Sequence, residues 1–249
     1  MLQYEYTKPK GVVAFMKKFG ILSILVCCGI MLTACGKEDG GASGKKEEVK
    51  KGPVSISEAE KGNTVLFGKY EQDNDTANGA EDIEWIVIDK KDDKILILSK
   101  DALETLPYIE DDSVIPEGER PYWEISSIKT WLNNDFYTTA FTADEQAKIS
   151  EADVGKVFLL SLEEARQYIE VDGVKIVYPT EYAKANGAGG THKGYAWWWL
   201  RSIPDPSEEY GNGCADYLYL TKDGVLEESY TSVDAEGNCA RPAMWITVK

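Results

Sequence analysis

The stretch IEWIVIDKKDDKILILSK, residues 83–100, predicts two β-strands joined by a polar turn. Its first half alternates Ile83, Trp85 and Val87 with Glu84, Ile86 and Ile88. Its second half is a continuous aliphatic run, and KKDD between them has the composition of a hairpin turn. An antiparallel hairpin is therefore the first element that the sequence defines.

More strands are expected on both sides of this hairpin. Residues 63–70 and 156–161 are short β-rich runs. The last third, residues 195–203, 215–228 and 240–248, contains short strands separated by turns, among them Asp223-Gly224.

Helical signals are confined to short segments. Residues 126–141 carry an apolar stripe at helical spacing, with Ser126 or Ser127 as the N-cap. Thr142-Ala-Asp-Glu145 and Ser161-Leu-Glu-Glu164 are capping boxes, and residues 181–194 predict a short helix that gives way to a glycine loop. Few small helices on twisted antiparallel strands define an α+β fold.

These motifs, in this order over about residues 63–247, resemble the bacterial family called domain of unknown function 6273. The segments that carry the resemblance are VLFGKYEQ, IEWIVID, YWEISSIKTWLNNDFYTTAF, VFLLSLEEARQY, WWWLRS and ARPAMWI. The tail is also similar to the sulfatase-modifying-factor and C-type-lectin-like fold. That similarity implies a compact sheet with helices but no mechanism, because the close cysteine pair of formylglycine-generating enzymes has no counterpart here.

The N-terminus predicts a lipoprotein signal. Lys17 and Lys18 precede an apolar run, which ends in Leu32-Thr33-Ala34-Cys35. This resembles a bacterial lipobox, which implies cleavage before Cys35 and acylation of its thiol by membrane lipid, palmitate included. Residues 1–34 are therefore predicted to be the signal region, and Met16 is a candidate start; a secretory signal with a chance cysteine is the alternative.

Residues 35–53 are predicted to be the lipidated cysteine followed by a flexible tether. Residues 54–249 then form a single α+β extracytoplasmic domain, held at the cell membrane by its lipid anchor.

The acidic balance excludes some partners. The chain has 27 basic and 43 acidic residues, a net charge of −16. Residues 1–34 carry four lysines and one glutamate, so the remainder carries −19. Such a surface repels nucleic acid, which is therefore not an expected partner, and simple solubility also explains the charge.

Cys214 and Cys239 are the two cysteines that remain after Cys35 in the mature chain. In an exported protein a disulfide between them is the simplest expectation. Unbonded thiols, or a zinc site with the single histidine, His192, are the alternatives.

The aromatic stretch YAWWWLRS contains the candidate ligand-binding residues. On a strand, Tyr195, Trp197, Trp199 and Arg201 share one face, which could stack against a sugar ring and bind a carboxylate. The alternative is a strand packed on both faces, with Arg201 against an internal acid. Arg241 is similarly expected to form a structural ion pair.

A calcium loop is only partly present. Asp73, Asp75 and Glu84 occupy the first, third and twelfth positions of an EF-hand-like segment. Ala77 has no ligand oxygen at the fifth position, so a solvated loop is the alternative.

No catalytic motif accompanies these residues, and no cofactor is expected. The sequence therefore predicts a lipid-anchored surface protein whose domain binds a glycan, the cell wall or a surface protein without catalysis. An exported enzyme of the formylglycine-generating fold group is the alternative.

Overall fold

A computed structural model describes residues 52–191, 193–204, 213–221 and 225–249. The predicted signal, Cys35, nearly all of the tether, His192 and the Asp223-Gly224 turn lie outside these residues. Within them, no helix combines the length and hydrophobicity that crossing a membrane requires.

Two five-stranded sheets form the framework. The first has the order β1-β2-β3-β10-β5 and the second the order β4-β9-β6-β7-β8. The strands are β1 (Thr64–Tyr70), β2 (Glu81–Lys91), β3 (Lys94–Ser99), β4 (Glu104–Thr105), β5 (Ile149–Ser150), β6 (Trp198–Trp199), β7 (Cys214–Leu220), β8 (Leu226–Ser232), β9 (Cys239–Ala240) and β10 (Ala243–Thr247). Neighbouring strands are antiparallel except for the parallel pair β6–β9.

The predicted hairpin of residues 83–100 is confirmed as β2 and β3. Lys91 pairs with Lys94 across the two-residue turn Asp92-Asp93. Residues 85–88 are all buried, so both faces of β2 are packed over this stretch. The alternation of buried and exposed positions therefore ends where both faces of the sheet are covered.

The predicted helix over residues 126–141 is confirmed with one irregularity. Its segments are α1 (Ser127–Trp131), a π-helical turn (Leu132–Phe136) and α2 (Tyr137–Ala140), and Ser126 caps its start. Inside the π turn, the Asn133 side chain bonds the backbone of Lys129, Lys156 and Val157. This side chain ties the helix to the following loop.

The other helices begin where their caps predict. They are α3 (Ala143–Gln146), α4 (Leu162–Tyr168) and α5 (Glu181–Ala185), and both predicted capping boxes are formed. Three short 3₁₀ turns complete the described helices: Ile56–Glu58, Asp112–Val114 and Trp123–Ile125. The α+β fold class is therefore confirmed.

Two predicted strands are shorter than expected. Residues 156–161 form only an isolated bridge, in which Phe158 and Ala243 exchange backbone hydrogen bonds of 2.9 and 2.7 Å. Residues 195–203 contain only the two-residue β6. Both segments supply buried residues to the core without forming extended ladders.

Candidate functional site

An aromatic row lies on one face of the second sheet and consists of Trp197, Tyr217 and Tyr219. The ring centroids of Trp197 and Tyr217 are 6.4 Å apart, and those of Tyr217 and Tyr219 are 5.8 Å apart. All three side chains are only partly buried. The row therefore presents adjoining ring surfaces to solvent.

Strand alternation places the two tyrosines side by side. Along β7, Tyr217 and Tyr219 point to the partly exposed face, while Leu218 and Leu220 are buried on the other. This alternation is visible in the sequence ADYLYL, and it is the signal from which these two residues could have been identified.

Trp197 is positioned by a close backbone contact beneath its ring. Its carbonyl accepts a 2.8 Å hydrogen bond from the backbone N–H of Cys239. A Cβ atom at Gly189 would lie only 2.8 Å from the indole, so only glycine leaves room there. Gly189 is itself fixed by a 2.7 Å bond to the carbonyl of Gly237. The predicted glycine loop thus supports one end of the aromatic row.

An acid stands at the other end of the row. The Tyr219 hydroxyl donates a 2.6 Å hydrogen bond to the exposed carboxylate of Glu227, its cross-strand partner on β8. This hydrogen bond, with burial, raises the pKa of Tyr219 to about 12. The phenol therefore stays protonated, and the carboxylate of Glu227 lies beside the ring as its acceptor.

The structure corrects the predicted ligand face at Trp199. This side chain is fully buried, packs beside Tyr108 and donates a 2.9 Å bond to the carbonyl of Leu106. Trp197 and Trp199 do share a face, since both contact Tyr217, but only Trp197 reaches solvent. Tyr195 instead pairs with exposed Tyr178, at a centroid distance of 5.2 Å.

Arg201 is also not part of a ligand face. Its guanidinium forms a two-pronged ion pair with Glu164 and donates to the carbonyl of Leu159. Burial alone would raise the pKa of Glu164, but the bonds from Arg201 and Ser161 lower it. The alternative of an internal ion pair is therefore correct, and no carboxylate site is left on this arginine.

The predicted Cys214–Cys239 disulfide is wrong, because another strand lies between the two thiols. Trp198 of β6 pairs with Cys239 on one side and with Leu218 of β7 on the other. Two strand spacings of about 4.8 Å already exceed the ~7 Å Cα separation that a disulfide tolerates. Burial raises the pKa of Cys239 to about 12, so its thiol is neutral.

The residues that could hold a metal differ from the predicted set. Oxygens of Glu71, Asp73 and Glu81 lie within 4.8 Å of one another. Burial, with the charges of Glu81 and Asp73, raises the pKa of Glu71. Three carboxylates supply part of the six to eight oxygens that Ca²⁺ takes.

Two members of the predicted calcium set lie outside this cluster. Glu84 forms an ion pair with Lys100, and Asp75 accepts from the backbone of Ala77. Only Asp73 is common to the predicted and the observed groups.

No reactive constellation stands out in the described grooves. Three open grooves of about 550, 610 and 620 Å³ lie on the surface, and neither Arg201 nor Cys239 lines any of them.

Burial raises the pKa of Asp216 to about 6, from an ordinary value of 3.8. The folded state therefore holds the extra proton, and this group's contribution to stability falls as pH rises from about 4 to about 6.

Fold and site together define an α+β domain of two sheets with an aromatic row exposed on one of them. The family described as "Domain of unknown function (DUF6273)" matches residues 92–248, and the chain belongs to that family. The match begins in the β2–β3 turn, so β1 and β2 precede it. No curated protein and no solved structure matches this chain.

Proposed function

We propose that this protein is a lipid-anchored surface protein whose domain binds glycan, in the cell wall or at another surface, without catalysis. Cys35 carries the lipid, palmitate included, and residues 36–53 tether the domain at the extracytoplasmic face of the cell membrane. The support for the anchor is the order of basic residues, apolar run and Leu-Thr-Ala-Cys in the sequence. Two acyl chains hold a protein firmly where one holds it marginally.

The aromatic row is the single observation that carries the binding role. Aromatic rings that are half-exposed and adjacent offer apolar surface for the C–H faces of pyranose rings, and their polar tips can bond hydroxyl groups. Centroid spacings of 5.8 and 6.4 Å allow successive sugar units to contact successive rings. The row lies on a strand face rather than in the described grooves, as a surface for an extended polymer would.

The enzyme alternative has less support. A formylglycine-generating mechanism needs two cysteines close together, whereas β6 separates Cys214 from Cys239. The neutral, buried thiol of Cys239 is also a poor nucleophile. A relation to the C-type-lectin-like fold is proposed for the fold alone. It is supported by the second sheet, in which Trp199 of WLRS belongs to β6 and Arg241 directly follows β9.

Removing two rings of the aromatic row is expected to weaken glycan binding. Each stacked ring is worth roughly 0.5–1.5 kcal/mol, so Trp197→Ala with Tyr219→Ser should weaken binding by about five- to 150-fold. Titration of tryptophan fluorescence with β-linked N-acetylglucosamine tetramer measures the affinity.

Tyr230→Ser is the matched control for this variant. Tyr230 pairs with Asp216 and therefore lies on the opposite face of the same hairpin. It should retain full affinity. Equal binding by the double variant and the control would refute the proposed site.

Cys35→Ala is expected to abolish acylation of the protein. Without the thiol no acyl chain can be attached, so the variant should incorporate no labelled palmitate. Cys27→Ala, in the same apolar run, should leave the incorporation unchanged. A palmitate-labelled Cys35→Ala protein would contradict lipid anchoring at this residue.

A further inference from the structure

We infer that the ligand of the aromatic row is a glycan bearing free amino groups, such as a glucosamine oligomer. This inference rests on the proposed glycan-binding function and names its ligand class. Two observations carry it: arginine side chains are engaged within the protein, and a carboxylate stands beside the row.

The arginines are bound to protein acceptors rather than offered to a ligand. Arg201 pairs with Glu164, and its side chain is only 16% exposed. Arg241 is completely buried and donates to backbone carbonyls. Arg166 forms a bidentate pair with Glu228, and Arg120 donates a 2.8 Å bond to the carbonyl of Pro204. The planar donors best suited to carboxylate and phosphate groups are thus committed elsewhere.

The charged group that hydrogen-bonds a side chain of the row is negative. Glu227 is exposed, faces Tyr219 directly across the strands and accepts its hydroxyl hydrogen bond. A carboxylate that accepts one hydrogen bond keeps further lone pairs for other donors. If a sugar stacks on the Tyr219 ring, its ammonium group would lie close enough to the Glu227 carboxylate to donate a hydrogen bond to it.

The pairing of an ammonium group with Glu227 explains why an amino sugar is favoured over an acetylated sugar and over a uronic acid. An acetylated sugar has the same apolar face but no charge for Glu227, and a uronic acid brings a like charge against it. The chain's net charge of −16 acts in the same direction, since it attracts polycations and repels polyanions.

Three oligomers of equal length test the inference with the purified full chain in detergent micelles. These are tetramers of glucosamine, of N-acetylglucosamine and of galacturonic acid. At low salt the glucosamine tetramer should bind about two- to fivefold tighter than the acetylated one, as an exposed ion pair allows. The galacturonate tetramer should bind more weakly than either.

Glu227→Gln should remove the preference for the amine, so that the glucosamine and acetylated tetramers bind this variant with equal affinity. Glu117→Gln, which removes the same charge from an exposed loop, is the control and should keep the preference. Half-molar salt should also reduce the preference in the unaltered protein.

The outcomes separate the two ideas. If the acetylated tetramer binds and the glucosamine tetramer binds no tighter, the inference is overturned while the glycan-binding proposal stands. If galacturonate binds as well as the others, the inference is overturned as well. If no tetramer binds, the proposed function falls and takes the inference with it.

Discussion

Replacing Arg241 with methionine is expected to lower the free energy of unfolding by about 3–5 kcal/mol. The guanidinium is completely buried and donates to the carbonyls of Ser99, Lys100 and Val174. Its hydrogen-bond partners are thus backbone carbonyls, and the charge of Asp101 adds an electrostatic attraction without a direct ion pair. Methionine fills much of the volume but leaves these carbonyls without a donor, and each unpaired buried carbonyl costs about 1–3 kcal/mol.

The same arginine also packs against the core. Its guanidinium carbon lies 4.9 Å from the centroid of Trp198, a cation–π contact between two side chains that are both buried. Burial lowers the pKa of Arg241, yet the group stays protonated at neutral pH. Lysine cannot reach carbonyls in three directions at once, so Arg241→Lys should recover only part of the lost stability.

Urea unfolding followed by tryptophan fluorescence measures these differences, and Arg166→Met is the matched control. Arg166 is 62% exposed, and its pair with Glu228 faces solvent. Its loss should cost less than about 1 kcal/mol. If the two methionine variants lose the same stability, the carbonyl cradle of Arg241 does not stabilise the fold.

Local signals in the sequence predicted the elements whose boundaries depend on local chemistry. The hairpin at residues 83–100 follows from its own composition and turn. The capping boxes at Thr142 and Ser161 follow from hydrogen bonds that close within four residues. These features need no distant partner, so the local sequence was sufficient to predict where they begin and end.

Features that depend on distant partners were less predictable. Alternation placed Trp197 and Trp199 on one face, but burial of Trp199 depends on Leu106, 93 positions away. Arg201 forms its ion pair with Glu164, which lies 37 positions earlier in the chain. The wrong disulfide has the same origin, because only the strand order reveals that β6 separates β7 from β9.

The strand predicted at residues 156–161 shows a further limit of the pattern. Its aliphatic residues are buried as expected, but a ladder needs a partner strand, and here the described bridge is the single pair Phe158–Ala243. A buried aliphatic run that lacks a neighbouring strand shows the same hydrophobic pattern as a run that forms a strand, so the pattern alone cannot distinguish them.

Gly68→Ala is expected to lower the free energy of unfolding by about 2–5 kcal/mol, through two separate costs. Gly68 has φ +72°, where a side chain costs about 1–2 kcal/mol. Its added Cβ would lie 2.5 Å from the Phe141 ring and 2.7 Å from the carbonyl oxygen of Ala140, and such overpacking costs about 1–3 kcal/mol more. The carbonyl belongs to the backbone and cannot rotate away.

Gly68 lies where β1 packs against the helices, which is why its backbone is so close to Phe141 and Ala140. A register shift between Leu66 and Lys69 bends the strand there, and the Gly68 N–H donates a 3.0 Å bond to Glu145. Phe141 packs in turn against Phe67, at a centroid distance of 5.4 Å. Displacing this ring would therefore disturb the contact between strand and helix.

Gly62→Ala separates the two costs in the same unfolding experiment. Gly62 has φ +87°, and an added Cβ would meet no heavy atom within 4 Å. Its alanine variant should lose only the conformational part, about 1–2 kcal/mol. A larger loss at Gly68 than at Gly62 measures the clash with Phe141 and Ala140, because both variants carry the same backbone strain. Equal losses would mean that β1 can shift away from the helix at no cost, and the close packing of strand on helix would then not contribute to stability.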